Sequence, residues 1–226
     1  MTYPTVAPSV LSFDFSRLEE EIQRMRDAGI KILHYDVMDG IFTPWISFGE
    51  HLFKFFKDKG FILDVHLMVV RPIEHALEFL KLGADEVTVH YEAIKNDISG
   101  FLEAIEPLRK NRVIGIAYNP ETELDAASLS VLNHFDKAMV MSVHPGRSGQ
   151  GYLPGSEDRL RILKDYSDQH GLNLTLEIDG GINGTTGPLA VASGAQILVS
   201  GSYLCSSKDP KATIEAILGG KTSREG

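Results

Sequence analysis

The string His34-Tyr35-Asp36 lies inside a short apolar run, Ile32–Val37. Side chains alternate along an extended strand, so His34 and Asp36 project to one side. Two more polar groups interrupt apolar runs in the same way: His66 near the end of Phe61–Leu67, and Asp179 at the end of Leu174–Asp179. Two imidazoles and two carboxylates make a ligand set that suits Zn²⁺, Fe²⁺ or Mn²⁺ and leaves room for substrate oxygens. Read singly, each histidine is a locally bonded ring and each aspartate a loop cap; their recurrence at strand ends is what points to a site. Asp64 and Glu177 share the faces of His66 and Asp179 one pleat further in. They fit either groups that orient the metal ligands or a salt linkage inside the protein.

A second constellation suits phosphate. Asp179-Gly180-Gly181-Ile182-Asn183 and Ser200-Gly201-Ser202 each follow an apolar run, as does Pro145-Gly146-Arg147-Ser148-Gly149-Gln150. Glycines let backbone N–H groups approach an anion closely. Any one such turn is an ordinary connector; Gly146, Gly149, Gly180, Gly181, Gly201 and Ser202 together form a cradle. Met38 and Met68 follow Asp36 and His66 by two residues and lean to the same side, with Met141 completing the set. They serve either to keep water from a reactive intermediate or simply to fill the core.

The elements that must carry these residues recur along the chain. The apolar runs are Val6–Leu11, Ile32–Val37, Phe61–Leu67, Glu86–His90, Arg112–Tyr118, Ala138–Val143, Leu174–Asp179 and Ile197–Ser200. Their spacing of about 27 residues is that of a strand-plus-helix unit, and their composition is that of buried parallel strands. Between them, Ser16-Arg17-Leu18-Glu19 reads as a capping box ahead of Leu18, Ile22 and Met25. Pro72 suits a first helical turn, Thr122 with Asp125 is a cap-like start, and Pro188 places another helix start near Gly187. Alternating β and α units without a composition break predict a single (β/α)₈ TIM barrel over 1–218, with 219–226 a frayed tail. No G-x-G-x-x-G follows an early strand, against a dinucleotide fold.

In that barrel Ser9, His34, Asp36, His66, His90, Asn119 and Asp179 fall at or near the C-terminal ends of strands, where barrel enzymes place their chemistry. Lys31, Asp85 and Lys137, at the opposite ends, read as ordinary solvating charges. The 226 residues carry 31 acids against 22 bases, a net charge of −9, which argues against nucleic acid or anionic lipid as the main partner. The single cysteine, Cys205, excludes an internal disulfide and fits a reducing compartment. With no secretory pattern at the start and no apolar run of membrane length, the expectation is a cytoplasmic protein.

The stretches that carry this chemistry resemble the ribulose-phosphate 3-epimerase family. They are Ala7-Pro8-Ser9-Val10-Leu11, His34-Tyr35-Asp36-Val37-Met38-Asp39-Gly40, Asp64-Val65-His66-Leu67-Met68-Val69, Gly115-Ile116-Ala117-Tyr118-Asn119-Pro120, Asp179-Gly180-Gly181-Ile182 and Val199-Ser200-Gly201-Ser202. The resemblance implies a barrel of the ribulose-phosphate-binding type that interconverts D-ribulose 5-phosphate and D-xylulose 5-phosphate. It implies one divalent ion (Zn, Fe, Mn or Co) held by His34, Asp36, His66 and Asp179, with Asp36 and Asp179 as acid and base. It also implies substrate contacts from Ser9, His66, Met38, Met68 and Met141, phosphate contacts from the glycine loops, and a homo-oligomer. Proton removal beside a ketone and return to the other face needs two carboxylates in opposite protonation states, and a cation stabilises the enediolate between the two steps.

The chain departs from the family in two loops. The usual Asp-Gly-His-Phe-x-Pro-Asn is Asp39-Gly40-Ile41-Phe42-Thr43-Pro44-Trp45, and Pro-Gly-Phe-x-Gly-Gln is Pro145-Gly146-Arg147-Ser148-Gly149-Gln150, preceded by His144. Arg147 either contacts an anion of the substrate or points to solvent. The alternatives are epimerisation of another ketose phosphate, such as a hexulose 6-phosphate, and a non-catalytic sugar-phosphate binder. A decarboxylase or Schiff-base aldolase fits less well, because Met38 stands where the decarboxylase lysine would be and none of the runs ends in lysine.

Overall fold

The short apolar runs are the strands of one parallel sheet. In the computed structural model, which describes residues 4–220, they are β1 (Thr5–Pro8), β2 (Ile32–Met38), β3 (Ile62–Met68) and β4 (Glu86–His90). The remaining strands are β5 (Val113–Tyr118), β6 (Lys137–Met141), β7 (Thr175–Asp179) and β8 (Ile197–Ser200). Neighbours pair in the order β1-β8-β7-β6-β5-β4-β3-β2, and an isolated parallel bridge from Ser9 to His34 brings the two ends together. The fold is a single (β/α)₈ TIM barrel, as the periodicity predicts.

The helices are α1 (Leu18–Asp27), α2 (Glu50–Lys57), α3 (Pro72–Leu82), α4 (Tyr91–Ile94) and α5 (Ile98–Ile105). After β5 come α6 (Ala126–Ser130), α7 (Ser156–His170), α8 (Thr186–Ala192), α9 (Ser202–Cys205) and α10 (Pro210–Ile217). Pro72 opens α3, and Gly83 closes it in the left-handed conformation that glycine adopts without strain. Helix α8 starts at Thr186, one residue before the expected Gly187. Asn183 Oδ1 accepts from the Thr185 and Thr186 amides, which fixes that start.

Local expectations fail in three places. Val6–Leu11 is not one strand: β1 ends at Pro8 and the chain tightens into a 3₁₀ turn over Val10–Ser12. Ser16-Arg17-Leu18-Glu19 is not a capping box: Ser16 lies in a 3₁₀ turn whose cap is Asp14, which accepts from the Ser16 amide at 3.0 Å. Asp125 alone caps α6, accepting from the Ser128 amide at 2.8 Å, while the Thr122 hydroxyl is drawn away to Glu92. Most of the expected tail, 221–226, lies outside the described residues; Gly219 and Gly220 return hydrogen bonds to α10.

The two faces of the sheet divide the labour. Leu33, Tyr35, Val37, Leu63, Val65, Leu67, Ile114 and Ile116 face outward into the main core beneath the helices. Inside the ring the apolar packing is limited to separate small clusters, Ala7 with Ile32, Ile197 and Val199, and Ala117 with Met139, Met141 and Val143. The rest of the interior is polar and buried: His34, Asp64, His66, Glu86, Thr88, His90, Lys137 and Glu177. Lys137 corrects the expectation of a solvating charge. It opens β6 on an inward-facing pleat, so its ammonium runs into the ring and is fully buried.

Candidate active site

Strand register assembles the expected four ligands. Asp36 stands beside His66 in the β2–β3 pairing, and β7 delivers Asp179 across the mouth. His66 Nδ1 is 3.1 Å from Asp36 Oδ1 and 3.7 Å from Asp179 Oδ2. His34 Nε2 is 3.4 Å from Asp36 Oδ1, 3.9 Å from Asp179 Oδ2 and 3.4 Å from His66 Nδ1. One donor atom from each residue lies within 4.8 Å of all the others. Ligands about 2.0–2.2 Å from a shared ion would stand roughly 3–4 Å apart, so this donor set fits a divalent transition ion in both spacing and chemistry.

Each histidine is oriented from behind. His34 Nδ1 donates to Asp64 Oδ2 at 2.8 Å, which turns Nε2 toward the site. His66 Nε2 meets His90 Nε2 at 2.8 Å, and His90 Nδ1 lies 3.2 Å from Glu92, so His66 is backed by a His–Glu pair. This second support was not anticipated: His90 reads as a polar strand end, and Glu92 lies beyond the strand in α4. Backing a metal-binding imidazole with a carboxylate fixes its tautomer and orientation.

The two aspartates occupy opposite electrostatic environments. Burial would raise the Asp36 carboxyl, but His34 and His66 outweigh burial and hold it well below the usual carboxylate range. Ser9 Oγ also donates to Asp36 Oδ2 at 2.6 Å. Burial, with Asp36 alongside, pushes Asp179 up to about 8. Burial lowers His66 to about 4 against the pull of Asp36, whereas Asp36 and Asp64 overcome burial at His34 and raise it well above its ordinary value. The arrangement therefore biases the two neighbouring carboxyls in opposite directions, Asp36 toward the ionised form and Asp179 toward the acid.

Above these groups opens a cavity lined by Ser9, Met38, Met68, Met141, Asp36 and Asp179 at its base. Gly146, Gly149, Gly180, Gly181, Gly201 and Ser202 line its other end. Glycine is required at Gly181, where φ is +63° and a side chain would meet the Tyr152 backbone at 2.6 Å. At Gly201 a Cβ would stand 2.7 Å from Ser12 Oγ and 2.8 Å from Ser148 Oγ, two hydroxyls that bond each other at 2.7 Å. One expected substrate contact, His66, is not in the cavity wall: it is fully buried and reaches the site only through Nδ1. Arg147 is exposed, in line with the second of its two expected roles, and lines the cavity's rim with its guanidinium 5.2 Å over the Trp45 ring.

The sequence profile of the ribulose-phosphate 3 epimerase family matches residues 5–205. The chain belongs to that family. The ribulose-phosphate 3-epimerase of Bacillus subtilis (strain 168) is 35% identical over 219 residues, covering 96% of this chain and 99% of the relative. That of Synechocystis sp. is 37% identical over 221 residues, covering 97% and 94%. The chain is accordingly an isomerase of the ribulose-phosphate 3-epimerase kind. The fold extends to more distant barrels: a 3-keto-L-gulonate-6-phosphate decarboxylase from Vibrio cholerae superposes with a TM-score of 0.65 at 16% identity, over 96% of each chain. Trp45 and Arg147, from the loops after β2 and β6, are a contacting pair.

Proposed function

We propose that the protein inverts C3 of D-ribulose 5-phosphate to give D-xylulose 5-phosphate, by proton transfer between two carboxyl groups at a single divalent-ion centre. The observation that carries this reading is the pairing of Asp36, biased to the carboxylate, with Asp179, biased to the acid, at the base of one cavity. Asp36 is the group poised to accept a proton and Asp179 the group poised to supply one to the opposite face; in the reverse direction their duties exchange. His34 Nε2, Asp36, His66 Nδ1 and Asp179 would hold the ion, which supplies Lewis acidity toward substrate oxygens. Ser9 restrains one oxygen of Asp36, so that its other oxygen keeps a fixed bearing. Met38, Met68 and Met141 present apolar surface beside the reacting carbons and limit water there. The glycine loops and Ser202 supply close backbone for the phosphate.

A longer ketose phosphate, such as a hexulose 6-phosphate, is the second reading, favoured by the Trp45–Arg147 pair at the rim. A decarboxylase reading has less support: no lysine lines the cavity among the described residues. The test is incubation of the protein with Mn²⁺ or Zn²⁺ and a panel of ketose phosphates in D₂O, read by NMR. Deuterium entering C3 of ribulose 5-phosphate is the expected result; preferential labelling of a hexulose phosphate selects the second reading, and no C3 exchange with any member refutes both. Metal analysis should find about one transition ion per chain, lost in His34→Ala.

A further inference from the structure

Below the ligands lies a charged group for which the epimerase reading has no use. Lys137 Nζ is 2.5 Å from Asp64 Oδ1, 2.9 Å from Glu86 Oε2 and 2.7 Å from Glu177 Oε2. The lysine, Asp64 and Glu177 are fully buried, and Glu86 nearly so. Among the described residues Lys137 is fully buried and lines none of the three main cavities, so its ammonium is placed neither as a nucleophile nor as a substrate contact. Room for its stem is provided by Gly115 on the adjacent strand, where a Cβ would stand 3.0 Å from Lys137 Cε and collide with Thr88 Oγ1. A buried ammonium needs compensating partners, and this one has three.

Two of those partners touch His34. Asp64 binds Lys137 through Oδ1 and receives the His34 Nδ1–H through Oδ2. Glu177 presents Oε2 to Lys137 and Oε1 to His34 Nδ1 at 3.4 Å. His34, Asp64 and Glu177 are themselves close enough to hold a cation, and the lysine ammonium sits against both carboxylates of that cage. We propose that Lys137 is a positioning residue for the ion centre: its ammonium holds Asp64, which receives the His34 Nδ1–H and so aims His34 Nε2 at the ion, while Glu177 adds a second negative charge beside both. This rests on the metal-centre reading above, and extends it one layer deeper, to a residue on the far side of the ring. Glu86 touches the centre only through Lys137 and is the natural control.

The experiment compares wild type, Glu86→Gln, Lys137→Met and the charge-balanced pair Lys137→Met with Glu86→Gln. Zinc affinity is read by competition with a chromophoric chelator, alongside melting temperature. Loss of an outer partner of a metal-binding histidine weakens binding by roughly 10- to 100-fold. That loss is expected in both Lys137 variants, with Glu86→Gln staying within about threefold of wild type. In zinc-loaded, ¹⁵N-labelled wild type the His34 Nδ1–H should exchange slowly with solvent, and in the folded Lys137 variants that signal should be lost. A purely structural lysine would move the melting temperature alone. A folded Lys137 variant with wild-type zinc affinity and an unchanged His34 signal overturns the inference while leaving the metal-centre reading intact. If neither Lys137→Met variant folds, Lys137→Arg decides, since it keeps the charge but displaces the Nζ contacts: weakened zinc affinity with the His34 signal lost supports the inference, and wild-type values of both end it. Wild type that binds no zinc removes the metal centre and this inference together.

Discussion

Asp36 and Asp179 are the same side chain in the same cavity, and the neighbours each meets give them opposite tendencies. Asp36 faces two imidazoles and a serine hydroxyl; Asp179 faces burial and another carboxylate. Asp179→Asn keeps size and shape but removes the exchangeable acid. It should slow C3 deuterium exchange by about 10²–10⁴-fold, while inorganic phosphate still binds at the glycine loops in a calorimetric titration. Wild-type exchange in that variant would take Asp179 out of the acid–base role. The four candidate ligands are legible in sequence because each is a polar residue interrupting an apolar run, on a parity that alternation makes readable. Lys137 is not. At the first position of a strand a charged residue looks the same whether it turns outward to water or inward to carboxylates, and only the parity it shares with Met139 and Met141 betrays the direction. The His90–Glu92 support is hidden for a different reason: it depends on how α4 leaves β4.

At the scale of elements, Glu92 is the tie between neighbouring strand ends. From α4 it accepts from the Asn119 amide at 3.0 Å, from the Thr122 hydroxyl, and from His90 behind the site. Burial would raise its carboxyl, but those donors, His90 foremost, outweigh burial and hold it below its ordinary value of 4.5. A folded-state value below the unfolded one contributes stability that is present above pH 4.5 and lost as pH falls through the folded value. Glu92→Gln should therefore cost about 1–3 kcal/mol at pH 7, and the gap from wild type should close toward pH 3. Paired urea melts across that range measure it, and a gap that widened on acidification would contradict the assignment. Apart from the far end of β1, strand positions are readable to within a residue or two because Val, Ile and Leu cluster in short runs. Helix starts are less so: the choice of Asp14 over Ser16 as cap depends on a 3₁₀ turn that periodicity does not reveal.

For the whole molecule, the notable fact is a ring with apolar packing outside and a charged floor within. Gly115 is part of that design, since the strand that omits a side chain makes room for the one lysine that spans the floor. Gly115→Val should overpack the interior and cost about 1–3 kcal/mol, seen as a lower urea midpoint at unchanged slope. An unchanged midpoint would mean the lysine stem can move aside. The floor's charges come from β3, β4, β6 and β7. A fragment ending after β4 would hold Asp64 and Glu86 with no cation between them, and its complement would keep Lys137 with Glu177 alone. The first fragment would thus leave its floor carboxylates without the ammonium that compensates them in the whole ring. Closing the circle is also what brings the floor's opposite charges together, so a break between β4 and β6 would part them.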